Sequence, residues 1–232
     1  MMKTILENLS LIPIFSSLSD SELADVKPFC EARHIRKKEL VFSEGSEPDW
    51  FYICLSGKVK ITKTSHDGKE IIIEVISPLD FFGGFAVIRG FPYPASAYAM
   101  EDASILRIKR EKLDLIIDKH PQVMHAITSN LGMRVRDFHA NLKSIALDKV
   151  ESRIASILCK LAEKSGVFDG SGVTIDMRLT KQDIAEMAGT TVETAIRVAG
   201  QFKKAGIIME QDGRTTIIDM DRLKEKFIPK QL

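Results

Sequence analysis

A stripe of apolar residues, recurring every three or four positions over about 25 residues, constrains this chain more than any other feature. The stripe consists of Met124, Ile127, Leu131, Val135, Phe138, Leu142 and Ile145. It predicts one long helix after Pro121, with an apolar seam as narrow as that of a coiled coil. The helix either packs on its own domain or pairs with a second copy of the chain. We favour a dimer, because so long a helix after a compact β region needs a second surface. The predicted dimer interface consists of Ile127, Leu131, Val135, Phe138 and Leu142.

The region before this helix, from about Ala32 to Lys109, has the pattern of short strands. The predicted strands cover residues 40–42, 50–55, 59–64, 71–76, 95–100 and 104–108. Most of them end at glycine, aspartate, serine or proline, which favour turns. This pattern predicts an antiparallel sandwich or barrel. A capping box at residues 19–22 predicts a short helix in front of it.

After the long helix the chain returns to short helices and a hairpin. Asp148 is predicted to cap a helix that starts at Val150, and residues 180–183 form a second capping box. Gly189 marks a turn into a further helix that reaches about Lys204. The runs 207–210 and 215–218 flank Asp212-Gly213, which is a strong hairpin signal. Helix, turn, helix and hairpin in this order predict a winged helix-turn-helix.

The second helix of this motif carries the residues that we expect to read DNA. Glu193, Arg197 and Gln201 are spaced four residues apart and share its outer face, opposite an apolar face of Ala195, Val198, Ala199 and Phe202. Arginine can donate two hydrogen bonds to guanine in the major groove, and glutamate can accept one from cytosine. Polar residues at the helix starts suit phosphate contacts; they are Thr180, Lys181, Gln182, Thr190 and Thr191, and Arg214 in the hairpin joins them. The alternative is that Glu193 and Arg197 form an ordinary surface ion pair.

Composition limits the other classes of function. The net charge is only +1, and both parts of the chain on either side of Lys149 are close to neutral, so a DNA-binding function must depend on local residues. Cys30, Cys54 and Cys159 are far apart among apolar neighbours, which indicates buried thiols. We find no signal peptide and no apolar run of membrane-spanning length, and we expect a cytoplasmic protein with no membrane contact.

An enzyme on a β-barrel is one rival interpretation, and a ligand-binding module whose winged helix contacts only proteins is another. The enzyme would need a His/Glu metal cluster on neighbouring strands, where the sequence offers only His34 and His66. We therefore predict no enzymatic activity. The outer face with Glu193 and Arg197 argues against the second rival.

Residues 180–185 (Thr-Lys-Gln-Asp-Ile-Ala) and 189–197 (Gly-Thr-Thr-Val-Glu-Thr-Ala-Ile-Arg) resemble the DNA-reading motif of the Crp/Fnr family of transcription regulators. The N-terminal part agrees in Ile14-Phe15, Leu18-Ser19, Gly45, Gly57, Gly68 and Asp80-Phe81-Phe82-Gly83. The resemblance covers essentially the whole chain. It implies an α+β protein in three parts: an antiparallel, jelly-roll-like β-roll sensor (1–120), a dimerisation helix (121–147) and a winged helix-turn-helix (148–232).

The resemblance also implies partners. A homodimer would bind an inverted repeat in double-stranded DNA, with Glu193 and Arg197 reading a TGA-type core in each half, and RNA polymerase would be a protein partner. Ile196 departs from the Fnr branch, where serine is usual, and its side chain could touch a thymine methyl group.

The resemblance places an effector in the β-roll, at Phe82, Gly83, Gly84, Phe85, Pro94, Ala95 and Ser96. In the cyclic-AMP receptor branch a Gly-Glu pair holds the ribose and an Arg-Ser pair holds the phosphate. Gly83-Gly84 and Pro94-Ala95 stand at the matching positions, so a buried nucleotide would be unpaired, which is costly. Arg89 lies near enough for a small alignment shift to supply a guanidinium. The iron–sulfur branch does not fit either, because its N-terminal cysteine cluster is absent.

The apolar residues between Phe81 and Tyr93 leave two interpretations open. They are core packing, or they line a pocket for a small apolar ligand or for haem, as the resemblance to the NO- and CO-sensing branch of the family would imply. Haem would need an axial ligand, and the candidates are several methionines and the histidines His34, His66, His120, His125 and His139. We expect His66 and His120 at the surface, and His139, next to Phe138, is the ligand candidate to test first.

Overall fold

The computed structural model describes residues 9–168 and 170–227. An antiparallel β domain, a long helix and a C-terminal helix-turn-helix follow one another in the predicted order. Contacts between residues divide the chain into two units. The first contains the residues up to Gly68 together with Ile73–Arg136. The second contains Lys69–Ile72 and the residues from Asp137 onward. The division at residues 120 and 147 stays a prediction, because these contacts divide the chain within the long helix.

The first unit begins with helix α1, Asp20–Val26, among three short 3₁₀ turns at Leu9–Leu11, Pro13–Phe15 and Lys27–Phe29. The predicted capping box is confirmed, since the Ser19 hydroxyl accepts the amide of Glu22 and the Glu22 carboxylate accepts the amide of Ser19 at 2.8 Å. Eight strands follow: β1 Glu31–Ile35, β2 Leu40–Phe42, β3 Trp50–Ser56, β4 Val59–Thr64, β5 Glu70–Ile76, β6 Phe81–Phe82, β7 Ser96–Ala99 and β8 Ala103–Lys109.

These strands form two four-stranded sheets, in the orders β1-β8-β3-β6 and β2-β7-β4-β5. Helices α2 Gly84–Arg89 and α3 Arg110–Lys119 belong to the same unit, and α4 Pro121–Leu147 begins in it. One hydrophobic cluster contains side chains from both sheets, such as Phe51 and Ala97, and also Val123 and Ile127 of α4. The first turns of α4 are therefore fixed against the β domain.

The second unit contains helix α5 and the winged motif. Its elements are α5 Val150–Ser165, β9 Gly166–Phe168, β10 Val173–Ile175, α6 Lys181–Ala188, α7 Val192–Lys204, β11 Ile208–Gln211, β12 Arg214–Ile217 and α8 Met220–Lys224. The four strands form one sheet in the order β11-β12-β10-β9. The two residues between β11 and β12, Asp212 and Gly213, both have positive φ, at 51° and 76°, as a tight hairpin turn requires. The predicted hairpin is confirmed.

The predicted cap of α5 was wrong. Lys149, not Asp148, is the N-cap residue, and its side chain makes no capping hydrogen bond. The amide of Asp148 still donates to Ser144 O at 2.9 Å, so Asp148 follows the last turn of α4. The chain becomes extended only at Lys149, and a capping residue must have such a conformation.

The cysteines are free; Cys54 and Cys159 are buried, and Cys30 is half-buried. Burial raises the pKa of the Cys30 and Cys54 thiols to about 12, as expected for inert side chains in an apolar interior. None of the helices within residues 9–168 and 170–227 has the length and hydropathy needed to span a membrane.

Candidate nucleic-acid interface

Helices α6 and α7 are joined by a turn of three residues that the sequence determines locally. Thr180 caps α6, because its hydroxyl accepts the amide of Asp183 at 3.0 Å while the Asp183 carboxylate accepts the amide of Thr180 at 2.9 Å. The helix ends at Gly189, whose φ of 57° lies in the left-handed region that glycine adopts without strain. Thr191 then caps α7 by accepting the amide of Thr194.

Helix α7 has one buried face and one exposed face, as predicted. The buried face consists of Ala195, Val198, Ala199 and Phe202. The exposed face carries Glu193, Arg197 and Gln201, with Ile196 beside them at 51 % exposure. A short helix that presents a row of polar side chains at this spacing can place them against base edges in a major groove.

Glu193 and Arg197 are not engaged with each other. Hydrogen bonds from its own backbone amide and from the Thr191 hydroxyl hold the pKa of the Glu193 carboxyl below its usual value. Across the described part of the chain, no ion pair joins Glu193 to Arg197. The structure therefore does not contain the alternative arrangement, a surface ion pair between these two residues within the helix.

The side chains predicted to contact phosphates differ in the intramolecular hydrogen bonds that they already make. The hydroxyls of Thr180 and Thr191 serve as caps, and the Gln182 amide donates to Glu186 at 2.7 Å within α6. Thr190 is half-buried, and its amide donates to Ala185 O at 3.0 Å. All four of these side chains thus already have intramolecular hydrogen bonds or limited exposure.

The two predicted phosphate-binding cations have acidic neighbours. Lys181 forms an ion pair with Glu210 of β11, while Arg214 lies 3.3 Å from Asp176, and both of those side chains are largely exposed. An exposed pair of that kind contributes little and exchanges readily with solvent. The pair with Glu210 is different, since the Glu210 side chain is only 19 % exposed.

Sequence reasoning missed Glu210, Lys203 and Arg153. The Lys203 ammonium lies 3.3 Å from Glu210, at the same carboxylate as Lys181. The Arg153 guanidinium of α5 donates to Asp148 O at 3.0 Å and to Ala188 O at 2.8 Å. It thereby connects the start of α5 to the end of α6. The Lys181–Glu210 and Arg153–Ala188 contacts join residues 29 and 35 positions apart, so no local sequence pattern predicts them.

Aromatic rings fill the part of the β domain where the effector was predicted. Phe42 stacks on Tyr93 with ring centroids 3.9 Å apart, and Tyr52 stacks on Phe82 at 5.1 Å. The Tyr93 hydroxyl donates to Trp50 O at 2.5 Å. Stacked, hydrogen-bonded rings of this kind are a packed core, which favours core packing among the interpretations left open by the sequence.

The remaining predicted effector residues differ in how close they lie to this stack and in how exposed they are. Gly83 has a φ of 72°, and a Cβ there would come within 3.1 Å of the Tyr93 ring; a Cβ on Gly84 would come within 2.7 Å of Phe51. Ala95 is buried and Pro94 exposed, while the Ser96 hydroxyl accepts the amide of Glu44 at 2.9 Å. Phe85 is 54 % exposed and rests edge-on against Phe91. The structure brings Phe82 and Gly83 to the aromatic stack and leaves Phe85 at the surface.

The histidines do not fit a haem ligand set. His34, His66, His125 and the candidate His139 are exposed. His120 is only 4 % exposed, so its predicted surface position was wrong: its Nδ1 lies 3.4 Å from Glu22 and its Nε2 3.4 Å from Asp25 of α1. Both nitrogens of the buried ring thus face carboxylates. Iron would need a ring nitrogen directed into an apolar pocket, and the described histidines supply none.

The predicted dimer seam divides into a buried and an exposed part. Ile127 is fully buried within its own unit, and Leu131 packs partly against the same core. Val135, Phe138 and Leu142 are 54 %, 54 % and 56 % exposed. Only the C-terminal half of the seam therefore has apolar surface left to cover.

Comparisons with known proteins agree with this arrangement. A family model described as a cyclic nucleotide-binding domain matches residues 32–120, and a Crp-like helix-turn-helix domain matches residues 152–226. The chain is 27 % identical over 220 residues to a CRP-like cAMP-activated global transcriptional regulator of Mycobacterium tuberculosis, covering 95 % of this chain and 98 % of that protein. It is 25 % identical over 219 residues to the anaerobic regulatory protein of Bacillus subtilis, covering 93 % and 92 %.

The fold is similar to that of solved structures as well. The structure of FixK2 from Bradyrhizobium japonicum superimposes with a TM-score of 0.78 at 21 % identity, over 87 % of this chain and 99 % of that one. At this identity the likeness concerns the fold alone.

Proposed function

Because the chain belongs to the Crp/Fnr family of transcription regulators, we propose that it is a homodimer that binds an inverted repeat in double-stranded DNA under the control of an effector. The observation that carries this proposal is the exposed face of α7, where Glu193 and Arg197 stand unpaired with each other beside Gln201. Each copy would insert α7 into one of two major grooves about one helical turn, roughly 34–36 Å, apart.

Base reading follows from the chemistry of that face. Arg197 would donate two hydrogen bonds to the O6 and N7 of a guanine, and Glu193 would accept one from a cytosine amino group. These contacts match the TGA-type half-site implied by the family. The exposed Ile196 side chain would add a contact to a thymine methyl group.

The second copy would bind along the exposed part of α4. Val135, Phe138 and Leu142 are apolar, more than half exposed and spaced as in a coiled-coil seam. RNA polymerase would be a further partner by family likeness, and we propose no enzymatic activity.

The effector would differ from cyclic AMP. The Mycobacterium relative is named as cAMP-activated, but Gly83-Gly84 and Pro94-Ala95 supply neither the carboxylate nor the guanidinium that the nucleotide needs. The aromatic stack around Tyr93 fills this region, so an effector there would have to displace ring contacts; a small apolar molecule is the class that can do so without leaving a buried charge unpaired. The histidine positions give no support to the haem alternative.

The experiment that tests the proposal is selection from a pool of randomised DNA duplexes with the purified full-length chain. We expect enrichment of inverted repeats with TGA-type halves and a stoichiometry of two chains per duplex. Enrichment of a non-palindromic site by a single chain, or no enrichment with and without a panel of apolar effectors, would contradict it.

A further inference from the structure

Three cationic side chains converge on one side of the winged motif. Lys181 at the first residue of α6, Lys203 near the end of α7 and Arg214 in β12 line a surface cavity of about 270 Å³. Ammonium and guanidinium groups around an open cavity are suited to a DNA phosphate. The carboxylate of Glu210 lines the same cavity, where it would repel a phosphate.

Glu210 is held in this place by the two lysines. Its carboxylate forms an ion pair with Lys181 and lies 3.3 Å from the Lys203 ammonium. Burial raises the pKa of the Glu210 carboxyl, but the hydrogen bonds and charges of the two lysines outweigh this effect and bring the pKa below its usual value. The carboxylate is therefore ionised at neutral pH and neutralises part of the cationic cluster.

The position of the hairpin does not depend on these ion pairs. Strand β12 pairs with β10 through Val173–Ile217 and Thr174–Thr216, and the amide of Leu179 donates to Gly213 O at 3.1 Å. The backbone thus fixes the hairpin beside the helices. The ion pairs of Glu210 are therefore not needed to position the hairpin, and the presence of a carboxylate in this cationic cavity needs another explanation.

We propose that Glu210 is a built-in competitor for DNA phosphate, which lowers the affinity of the motif for DNA of any sequence. Lys181 must leave Glu210 before it can contact the backbone of DNA, so each half of the dimer loses part of one phosphate contact. Non-specific sites greatly outnumber specific ones, and a weaker phosphate interaction shortens the time spent on them. This inference rests on the proposed DNA-binding function.

The test compares Glu210→Gln with wild type in binding to a duplex of unrelated sequence, followed by fluorescence anisotropy over a range of salt concentrations. Each phosphate contact contributes about 0.9 to the slope of log K against log salt. A freed Lys181 therefore steepens the slope by about 1 per chain engaged and tightens binding on the order of five-fold at 0.15 M salt. Glutamine keeps the shape of the side chain and removes only its charge.

Two further variants keep the test specific. Glu225→Gln removes the same charge from an exposed residue at the end of α8, which is not among the residues that line the cavity; it should leave the slope unchanged. In a Lys181→Gln background, Glu210→Gln should tighten binding less than it does in wild type, because only Lys203 is then left to be freed.

The outcomes separate this inference from the function on which it rests. Equal gains from Glu225→Gln and Glu210→Gln would overturn it in favour of a general charge effect. A loss of affinity and of thermal stability in Glu210→Gln would overturn it in favour of a purely structural ion pair. Wild-type protein that binds no DNA at all would overturn the proposed function, and this inference with it.

Discussion

Leu142 offers a direct way to perturb the proposed dimer without disturbing the fold of the chain. Its side chain is 56 % exposed on α4, so it contributes little to the core of its own unit. Full burial of a leucine contributes roughly 1.5–3 kcal/mol, and covering its exposed half contributes about 1–1.5 kcal/mol per copy. Two copies meet in a dimer, which gives roughly 2–3 kcal/mol for this position.

We therefore expect Leu142→Glu to weaken dimerisation by about 30- to 150-fold, since each 1.4 kcal/mol corresponds to a factor of ten. The cost of removing the new carboxylate from water adds to this loss. Sedimentation equilibrium measures the dissociation constant, and circular dichroism verifies that the monomer remains folded. Ala140→Glu is the matched control, because Ala140 is also exposed on α4 but lies about 200° away around the helix. Unchanged dimerisation of Leu142→Glu, or equal damage from Ala140→Glu, would refute the proposed seam.

Three other predictions concern the two units separately. Phe202→Ala should lower the free energy of unfolding, measured by chemical denaturation, by about 3–5 kcal/mol, because Phe202 is 1 % exposed. Phe168 is 74 % exposed, so Phe168→Ala should change it by less than about 0.5 kcal/mol. Similar effects of both substitutions would contradict the assigned core. Hydrogen bonds from Ser19, together with Gln122 and the charge of His120, hold the pKa of Glu22 at about 2 against 4.5 in an unfolded chain. The contribution of the Glu22 carboxylate to stability is thus fully present above pH 4.5 and is lost as the pH falls towards 2. The melting temperatures of wild type and Glu22→Gln should therefore converge between pH 4.5 and 2. A constant difference down to pH 2 would argue against this role of Glu22. Protein expressed with ample haem should show no stoichiometric Soret band, whereas a band that shifts with CO or NO would restore the haem alternative.

Much of the winged motif could be predicted because its signals are local. The capping box at Thr180, the glycine at 189 and the Asp-Gly turn each determine the backbone within a few residues, and the structure contains all three. The two faces of α7 follow from helical spacing alone. Six of the eight described strands before α4 were predicted for the same reason, since most of them end at turn residues; β1 and β6 were not predicted.

What the sequence could not predict depends on contacts between distant residues. Glu210 meets Lys181 across 29 positions, and His120 is buried because α1 places Glu22 and Asp25 beside it. The surface position expected for His120 was reasonable for a helix-start residue, but tertiary packing overrode it. The stack of Phe42, Tyr52, Phe82 and Tyr93 likewise combines four separate segments, so the local sequence could not decide between core and pocket.

The most direct test of DNA reading by α7 is a set of anisotropy titrations on the selected duplex and on duplexes with each half-site position changed. The variants are Arg197→Ala and, as a comparison for sequence-independent contacts, Lys181→Ala. We predict that Arg197→Ala loses roughly 1–3 kcal/mol per half-site and no longer discriminates bases at one position, while Lys181→Ala weakens binding evenly across all duplexes. Binding by Arg197→Ala as tight and as selective as that of wild type would contradict the account.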